Sequence, residues 1–303
     1  MTARRSILAA LTVTLFLPFS ICSSKLHDLR LQQAVDRGLD GSAGIIPVVD
    51  VESAEILAAR NLEFASKQFI RPGSTLKPFV LMELLDSARL DPNERLIARR
   101  PLRIGGMRLD CSHTAEVSEL DADDAIAYSS NSYVAKVALR MSGDALTEAL
   151  RRGGLDSLTG LLQSESTGHI ERPTNQEQLQ LMALGARGIE VTPLELLAAY
   201  RKLTLTRRSR NPSADEAVFL GLEHAMTYGT AHAAAVDGMK IGGKTGTASA
   251  ANSPRTHGIF VGYAPADHPE IARVVYVPQG RGLDAALEAH SVFEEYGQRK
   301  KKS

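Results

Sequence analysis

The chain has 303 residues, enough for one large domain or two small ones with a substantial core. Its 35 Lys and Arg balance its 35 Asp and Glu, so no net positive charge points to a grip on nucleic acid. Tryptophan is absent and aromatics make up only 5%, which argues against stacking platforms for bases or sugars, and no internal repeat or low-complexity tract is present.

The first residues read as a targeting segment. "MTARR" is a short basic start, and the apolar run "SILAALTVTLFLPFSIC" ends at Cys22. That is the layout of a secretory signal, with Ser20 and Cys22 as small residues before a cut. The run is slightly short for a spanning helix, which leaves an uncleaved anchor as one alternative. A lipoprotein signal is another, with the bulky Ile21 before the cysteine speaking against it. All three readings put the globular part outside the cytoplasm and confine membrane association to the N-terminal segment. Cys111 is then alone in the mature chain, so neither an internal disulfide nor a zinc site is expected, and it reads as a half-buried packing residue. The expected division is 1–22 as signal or anchor, 23–298 as one domain and 299–303 as a disordered basic tail.

After the leader, "KLHDLRLQQAVDRGL" carries apolar residues at helical spacing. "GIIPVVDVESAEILAARN" reads as two strands around a tight turn at Glu52-Ser53-Ala54-Glu55. "STLKPFVLMELLDSARL" is a helix opened at Ser74, with Pro78 in its first turn. Residues 120–151 are helical, broken by Ser129-Ser130-Asn131. "NQEQLQLMALGARG" and "TPLELLAAYRKLTL" are two more helices joined near Gly188, the second with Thr192 as N-cap and Pro193 at the first helical position. "RRSRNPSADE" reads as a polar, basic loop. "MKIGGKTGTAS", "THGIFVGYAP" and "IARVVYVPQG" are successive strands, followed by a final helix near Ala285–Tyr296. Strands at both ends with helices between them predict an α+β fold: one sheet built from the two termini, with a helical insertion.

Three short signals carry chemistry: Ser74-Thr75-Leu76-Lys77, Ser129-Ser130-Asn131 and Lys244-Thr245-Gly246. Alone, each has an ordinary reading as a helix N-cap, a helix-breaking loop and a polar strand end. Together, in this order and context, they form a serine–lysine set that penicillin-binding proteins and class A β-lactamases use. The chain resembles the penicillin-binding transpeptidase family over nearly all of its mature length. Its flanking runs match too: "PVVDVESAEILAARN", "RPGSTLKPF", "DAIAYSSNSYVAKVA", "ALGARGIEVTPLELLAAY", "YGTA" at Tyr228–Ala231, "GGKTGTAS" and "GIFVGYAPADHPEIARVVYV".

The resemblance implies a penicillin-binding/β-lactamase-like fold and acyl transfer through an ester on Ser74. Lys77 would take the serine proton, provided that desolvation or a neighbouring positive charge such as Lys244 keeps its amine neutral. Ser129 would relay a proton to the departing amine. Asn131 would hold a substrate amide and orient Lys77. Lys244 and Thr245 would bind the substrate's terminal carboxylate, and Gly246 would let an extended peptide lie against the strand edge. The backbone N–H groups of Ser74 and Thr247 would form the oxyanion hole. The implied partners are D-Ala-D-Ala stem peptides of peptidoglycan and β-lactams, with no metal or cofactor.

Departures from the family pattern matter as well. About 50 residues between leader and Ser74 leave no room for a pedestal or glycan-polymerising domain, so a cell-wall synthesis protein could supply that module. "ERPTN", Glu171 to Asn175, is the pattern that carries a second base in class A β-lactamases, which keeps a β-lactamase as an alternative. Ser130 in place of aspartate and the flanking runs favour the transpeptidase. A β-lactam sensor or cell-wall-binding scaffold is the non-enzymatic alternative. His113 and His257 read as structural.

Overall fold

The computed structural model describes residues 28–38, 44–111, 119–207, 212–249 and 255–301. The expected leader and His113 lie outside the described residues. The chain begins with α1 (Leu29–Gly38), the hairpin β1 (Ile46–Asp50) and β2 (Ile56–Arg60), and α2 (Leu62–Lys67). A 3₁₀ turn, Gly73–Leu76, runs into α3 (Lys77–Asp86), followed by the short strands β3 (Leu96–Ile97), β4 (Arg103–Ile104), β5 (Met107–Arg108) and β6 (Glu119–Leu120). Then come α4 (Ala122–Ala127), α5 (Asn131–Ala138), α6 (Gly143–Arg152), β7 (His169–Ile170), α7 (Gln176–Ala183) and β8 (Ile189–Glu190). The last part holds α8 (Pro193–Arg207), α9 (Pro212–Thr227), β9 (Gly242–Ser249), β10 (Thr256–Ala264), β11 (Ile271–Val277) and α10 (Gly282–Lys300).

One five-stranded sheet, ordered β2-β1-β11-β10-β9, is antiparallel throughout. Its first two strands come from the start of the chain and its other three from the end, as the sequence pattern requires. The period of two along each strand sends alternate residues to opposite faces. Val48, Phe260 and Val275 pack under α1 and α10 with Leu31, Val35 and Phe293. Val49, Val261 and Val274 face the helical insertion with Leu76, Val80 and Leu197. Covered on both sides, β11 is buried along its whole length and β10 nearly so, which is why these strands read as apolar runs. The β1–β2 turn is closed by the Asp50 carboxylate, which accepts the Ser53 N–H at 2.7 Å and the Ser53 hydroxyl at 2.9 Å.

Eight of the ten residues of α3 are buried, Lys77 among them, so it runs through the core rather than over it. α8 starts with a capping box: Thr192 Oγ1 accepts the Glu195 N–H and the Glu195 carboxylate accepts the Thr192 N–H. That carboxylate also accepts the N–H groups of Asp156, Ser157 and Gly168, tying three segments of the insertion together.

Two expectations need correction. The loop expected over "RRSRNPSADE" contains the start of α9, a helix the polarity of that stretch concealed. Pro212 at the first helical position, with acidic residues behind it, is an N-terminal signal of the kind seen at Pro193. The tail expected to be disordered from residue 299 is helical through Lys300. Lys300 pairs with Glu270 at 2.6 Å and Arg299 pairs with Asp28, and cations suit a helix C-terminus.

Candidate active site

The site is assembled around the turn at Ser74. Gly73 takes a left-handed φ of 55°, and Ser74 follows inside the 3₁₀ turn. The turn's N-cap position is Pro72, and Ser74's side chain caps nothing, so the expected N-cap bond is absent. Other groups hold the turn. Tyr200 donates its hydroxyl to Thr75 O at 2.8 Å, Thr75 donates to Pro72 O at 2.7 Å, and the Gly73 N–H donates to Gly185 O at 3.1 Å. The backbone approaches are tight. A Cβ on Gly185 (φ +64°) would lie 2.3 Å from Gly73 O, and one on Gly246 would lie 2.8 Å from Pro72 O. Gly246 therefore leaves room for the nucleophile turn.

Lys77 stands one helical turn on and is completely buried because α3 enters the core there. No hydrogen bond joins it to Ser74 among the described residues. Its Nζ donates to Ser129 O at 2.5 Å, Asn131 Oδ1 at 2.6 Å and Ser129 Oγ at 3.3 Å. Desolvation lowers its pKa to about 7, opposed by the Cys111 thiol nearby. The neighbouring charge that the sequence reading assigned to Lys244 is not the main cause. Burial also pushes Lys244 well below the ordinary lysine range, and there the Lys77 charge adds to the effect.

Ser129 ends α4 at a position where glycine is usual. Its N–H donates to Ile126 O and the Ser130 N–H to Ala125 O, the two crossed bonds of a Schellman ending, and its φ is +56°. A residue with a side chain in the left-handed region carries backbone strain. Ser130 is the buried N-cap of α5 and accepts the Tyr133 N–H. Asn131 then opens the helix with its amide fixed at both ends, Oδ1 on Lys77 and Nδ2 donating to Leu109 O at 3.0 Å. Cys111, expected to be half-buried, is only 4% exposed and accepts the Ser132 N–H at 3.3 Å. It packs against the first turn of α5.

β9 is the edge strand that passes the turn. Lys244 is fully buried, its Nζ donating to Thr245 O at 3.1 Å, and Thr245 donates its hydroxyl to Thr230 Oγ1 at 2.7 Å. An ideal Cβ on Gly73 would lie 2.9 Å from Thr247 O and 3.4 Å from Thr247 N, so the free edge of β9 abuts the nucleophile turn. These elements enclose a cleft of about 690 Å³. Ser74, Ser129, Asn131, Thr245 and Thr247 line it, while Lys77, Lys244 and Gly246 sit behind its wall.

The rest of the cleft was not anticipated residue by residue. Met107 to Asp110, Tyr128, Tyr228 to Thr230, His232 and Arg281 complete its walls. Of these, Tyr128 lies in the run "DAIAYSSNSYVAKVA" and Tyr228 to Thr230 in "YGTA"; the others carried no signal in the sequence, and their placement is a tertiary matter. Glu171, the candidate second base, has 72% of its side chain exposed and is not on the cleft wall. Its pattern partner Asn175 is the N-cap of α7, accepting the Gln178 N–H at 2.9 Å. His257 donates from Nε2 to Arg71 O at 2.9 Å and is kept neutral by burial, a structural role. Among the described residues no cluster of three or more His, Cys, Asp or Glu could hold a metal. No helix among them is long and apolar enough to cross a membrane.

The structure thus brings a serine turn, a buried amine and an edge strand together at one cleft. The family model described as "Penicillin binding protein transpeptidase domain" matches residues 44–295, and the chain belongs to that family. It is 26% identical over 301 residues to a probable peptidoglycan D,D-transpeptidase PenA of Neisseria gonorrhoeae, covering 84% of this chain and 51% of the relative. It is 25% identical over 309 residues to a peptidoglycan D,D-transpeptidase FtsI of Buchnera aphidicola, covering 84% of this chain and 53% of that protein. The chain thus spans about half the length of these curated relatives. The fold matches that of the TP domain of Burkholderia pseudomallei penicillin-binding protein 3, with a TM-score of 0.79 at 22% identity over 90% of this chain and 95% of that one.

Proposed function

We propose that the protein is a serine D,D-transpeptidase or D,D-carboxypeptidase acting on D-Ala-D-Ala stem peptides of peptidoglycan, and that β-lactams acylate the same serine. One observation carries the reading: a buried lysine with a pKa of about 7, one turn from a serine that faces the cleft, held by the serine and asparagine of a second loop. A neutral Lys77 has two N–H donors for its two short acceptors, Ser129 O and Asn131 Oδ1, and one lone pair left for a hydroxyl proton.

The Ser74 hydroxyl attacks the carbonyl of the penultimate D-alanine and gives its proton to Lys77. The developing oxyanion is received by the N–H groups of Ser74 and Thr247. Ser129 hands a proton to the leaving amine as the C–N bond breaks and is reprotonated from Lys77. An acceptor amine or water then takes the acyl group from Ser74. Asn131 keeps Lys77 oriented and presents its amide to the peptide. Thr245 meets the terminal carboxylate, and an arriving anion favours the charged form of Lys244 below it.

Deacylation by water is slow on this reading. Glu171 stands off the wall, and Asp110, which is on it, is bonded to Arg108 at 2.5 Å, which holds its carboxyl below the usual carboxylate range. A carboxylate so held is a weak base. We further propose that residues 1–22 are a signal or anchor and that the domain works outside the cytoplasm, where peptidoglycan lies. A cell-wall synthesis protein would act alongside it. Fluorescent penicillin should label the purified protein covalently and fail to label Ser74→Ala; equal labelling of the two overturns the mechanism.

A further inference from the structure

Lys244 is the cation that the third motif supplies, yet it is sealed below the wall and its Nζ is bonded to Thr245 O. A different segment brings charge to the cleft itself. Thr256 and Gly280 are tied by two bonds, Gly280 N–H to Thr256 O at 3.0 Å and Thr256 Oγ1 to Gly280 O at 2.9 Å. The next residues lie directly on the strands. A Cβ on Gly258 would be 2.1 Å from Arg281 O, and one on Gly282 would be 2.7 Å from Thr245 Cβ. The Gly282 N–H donates to Thr247 Oγ1 at 2.9 Å. Only glycines at 258 and 282 allow this seat, and it puts Arg281 on the cleft wall beside Thr245 and Thr247.

Two arginines line the cleft, and they differ. Arg108 is paired with Asp110, whereas Arg281 is exposed and makes no ion pair among the described residues. The Arg281 N–H, not its guanidinium, is bonded to Asp284 at 2.7 Å, closing the start of α10. A guanidinium left unpaired on the cleft wall that Thr245 and Thr247 also line presents a planar fork of donors suited to a carboxylate.

We propose that Arg281 is a specificity-determining residue that reads the carboxylate of the molecule bound along the free edge of β9, the C-terminal carboxylate of the peptide or the ring carboxylate of a β-lactam. This rests on the serine acyl-transfer reading. Thr245 and Lys244 meet the carboxylate from the strand side; Arg281 holds a permanent charge at the rim, where it draws anions in and lies in contact with solvent. Its contribution therefore weakens with salt, which that of a sealed lysine does not.

The test compares benzylpenicillin with its methyl ester as acylating agents of the full chain, at low and high ionic strength. Wild type should react faster with the acid than with the ester. Arg281→Gln should lose roughly tenfold against the acid and little against the ester, and Arg281→Lys should recover part of the loss. The wild-type advantage for the acid should shrink at high salt. Matching thermal melts confirm that the variants are folded. If Arg281→Gln keeps the wild-type rate with the acid, or loses equally with acid and ester, the assignment is wrong. If neither compound acylates wild type, the serine mechanism itself fails and Arg281's role falls with it.

Discussion

Replacing Ser129 by glycine should make the protein more stable and less active. Ser129 occupies the left-handed position of the α4 ending at φ 56°. A side chain there costs about 1–2 kcal/mol relative to the right-handed region. Glycine removes that cost but gains freedom in the unfolded chain, worth about 0.4–1 kcal/mol in the opposite direction. The lost hydroxyl removes only the long 3.3 Å bond from Lys77, because the 2.5 Å bond goes to the carbonyl that glycine keeps. The net gain is about 0.5–1 kcal/mol, or roughly 1–3 °C in melting temperature for a chain of this size. Ser129→Ala loses the same hydroxyl and keeps the strain, so it should melt about 1–3 °C below the glycine variant. Acylation by penicillin should fall in both variants by a similar factor, roughly a hundredfold or more, since both lack the hydroxyl that carries the proton. Thermal melts and stopped-flow acylation of the three proteins settle it. A glycine variant less stable than the alanine variant would mean that residue 129 is not strained, and retained acylation would remove Ser129 from the proton path.

Further outcomes follow from the same geometry. On the proposed mechanism Lys77 acts in its neutral form, so with a pKa of about 7 the acylation rate should rise as pH increases through about 7 and level off above. About half of such amines are neutral at pH 7, against roughly one in 2,500 for an ordinary lysine; a midpoint above 9 would show that burial does not tune this group. Gly185→Ala puts a Cβ 2.3 Å from Gly73 O at a positive φ, and should cost on the order of 2–4 kcal/mol in denaturant unfolding while slowing acylation of Ser74. A stable, fully active alanine variant would show that the Gly185–Gly73 contact does not hold the turn. Glu171→Ala should leave the release rate of bound penicillin unchanged, because the carboxylate is off the cleft wall; slower release would give Glu171 a part in deacylation.

Much of the fold could be read locally. The hairpin of β1 and β2, Thr192 and Pro193 opening α8, and the three late strands all follow from short-range periodicity, caps and turns. The failures were local too. α9 was hidden because its first turn shares the polarity of the loop before it, and the end of α10 because a basic tail gains its order from partners far away in sequence, Asp28 and Glu270.

For the site, three short motifs and the family resemblance they carry pointed to Ser74, Lys77, Ser129, Asn131, Lys244, Thr245 and Thr247, and the fold brings these residues around one cleft. Their physical states were decided elsewhere. Lys77 has a lowered pKa because α3 runs through the core and strips water from its amine. Gly246 is required by a turn that is more than 170 residues away in the chain, and Gly73 and Gly185 meet across the same fold. Arg281 has no motif around it; it reaches the cleft because glycines at 258 and 282 let one loop lie flat on two strands. The opening at Ser74 shows the division. Sequence alone identified the serine and the lysine one turn on, while the support of the serine turn and the burial and charge of that lysine depend on groups that only the folded chain brings within a few ångströms.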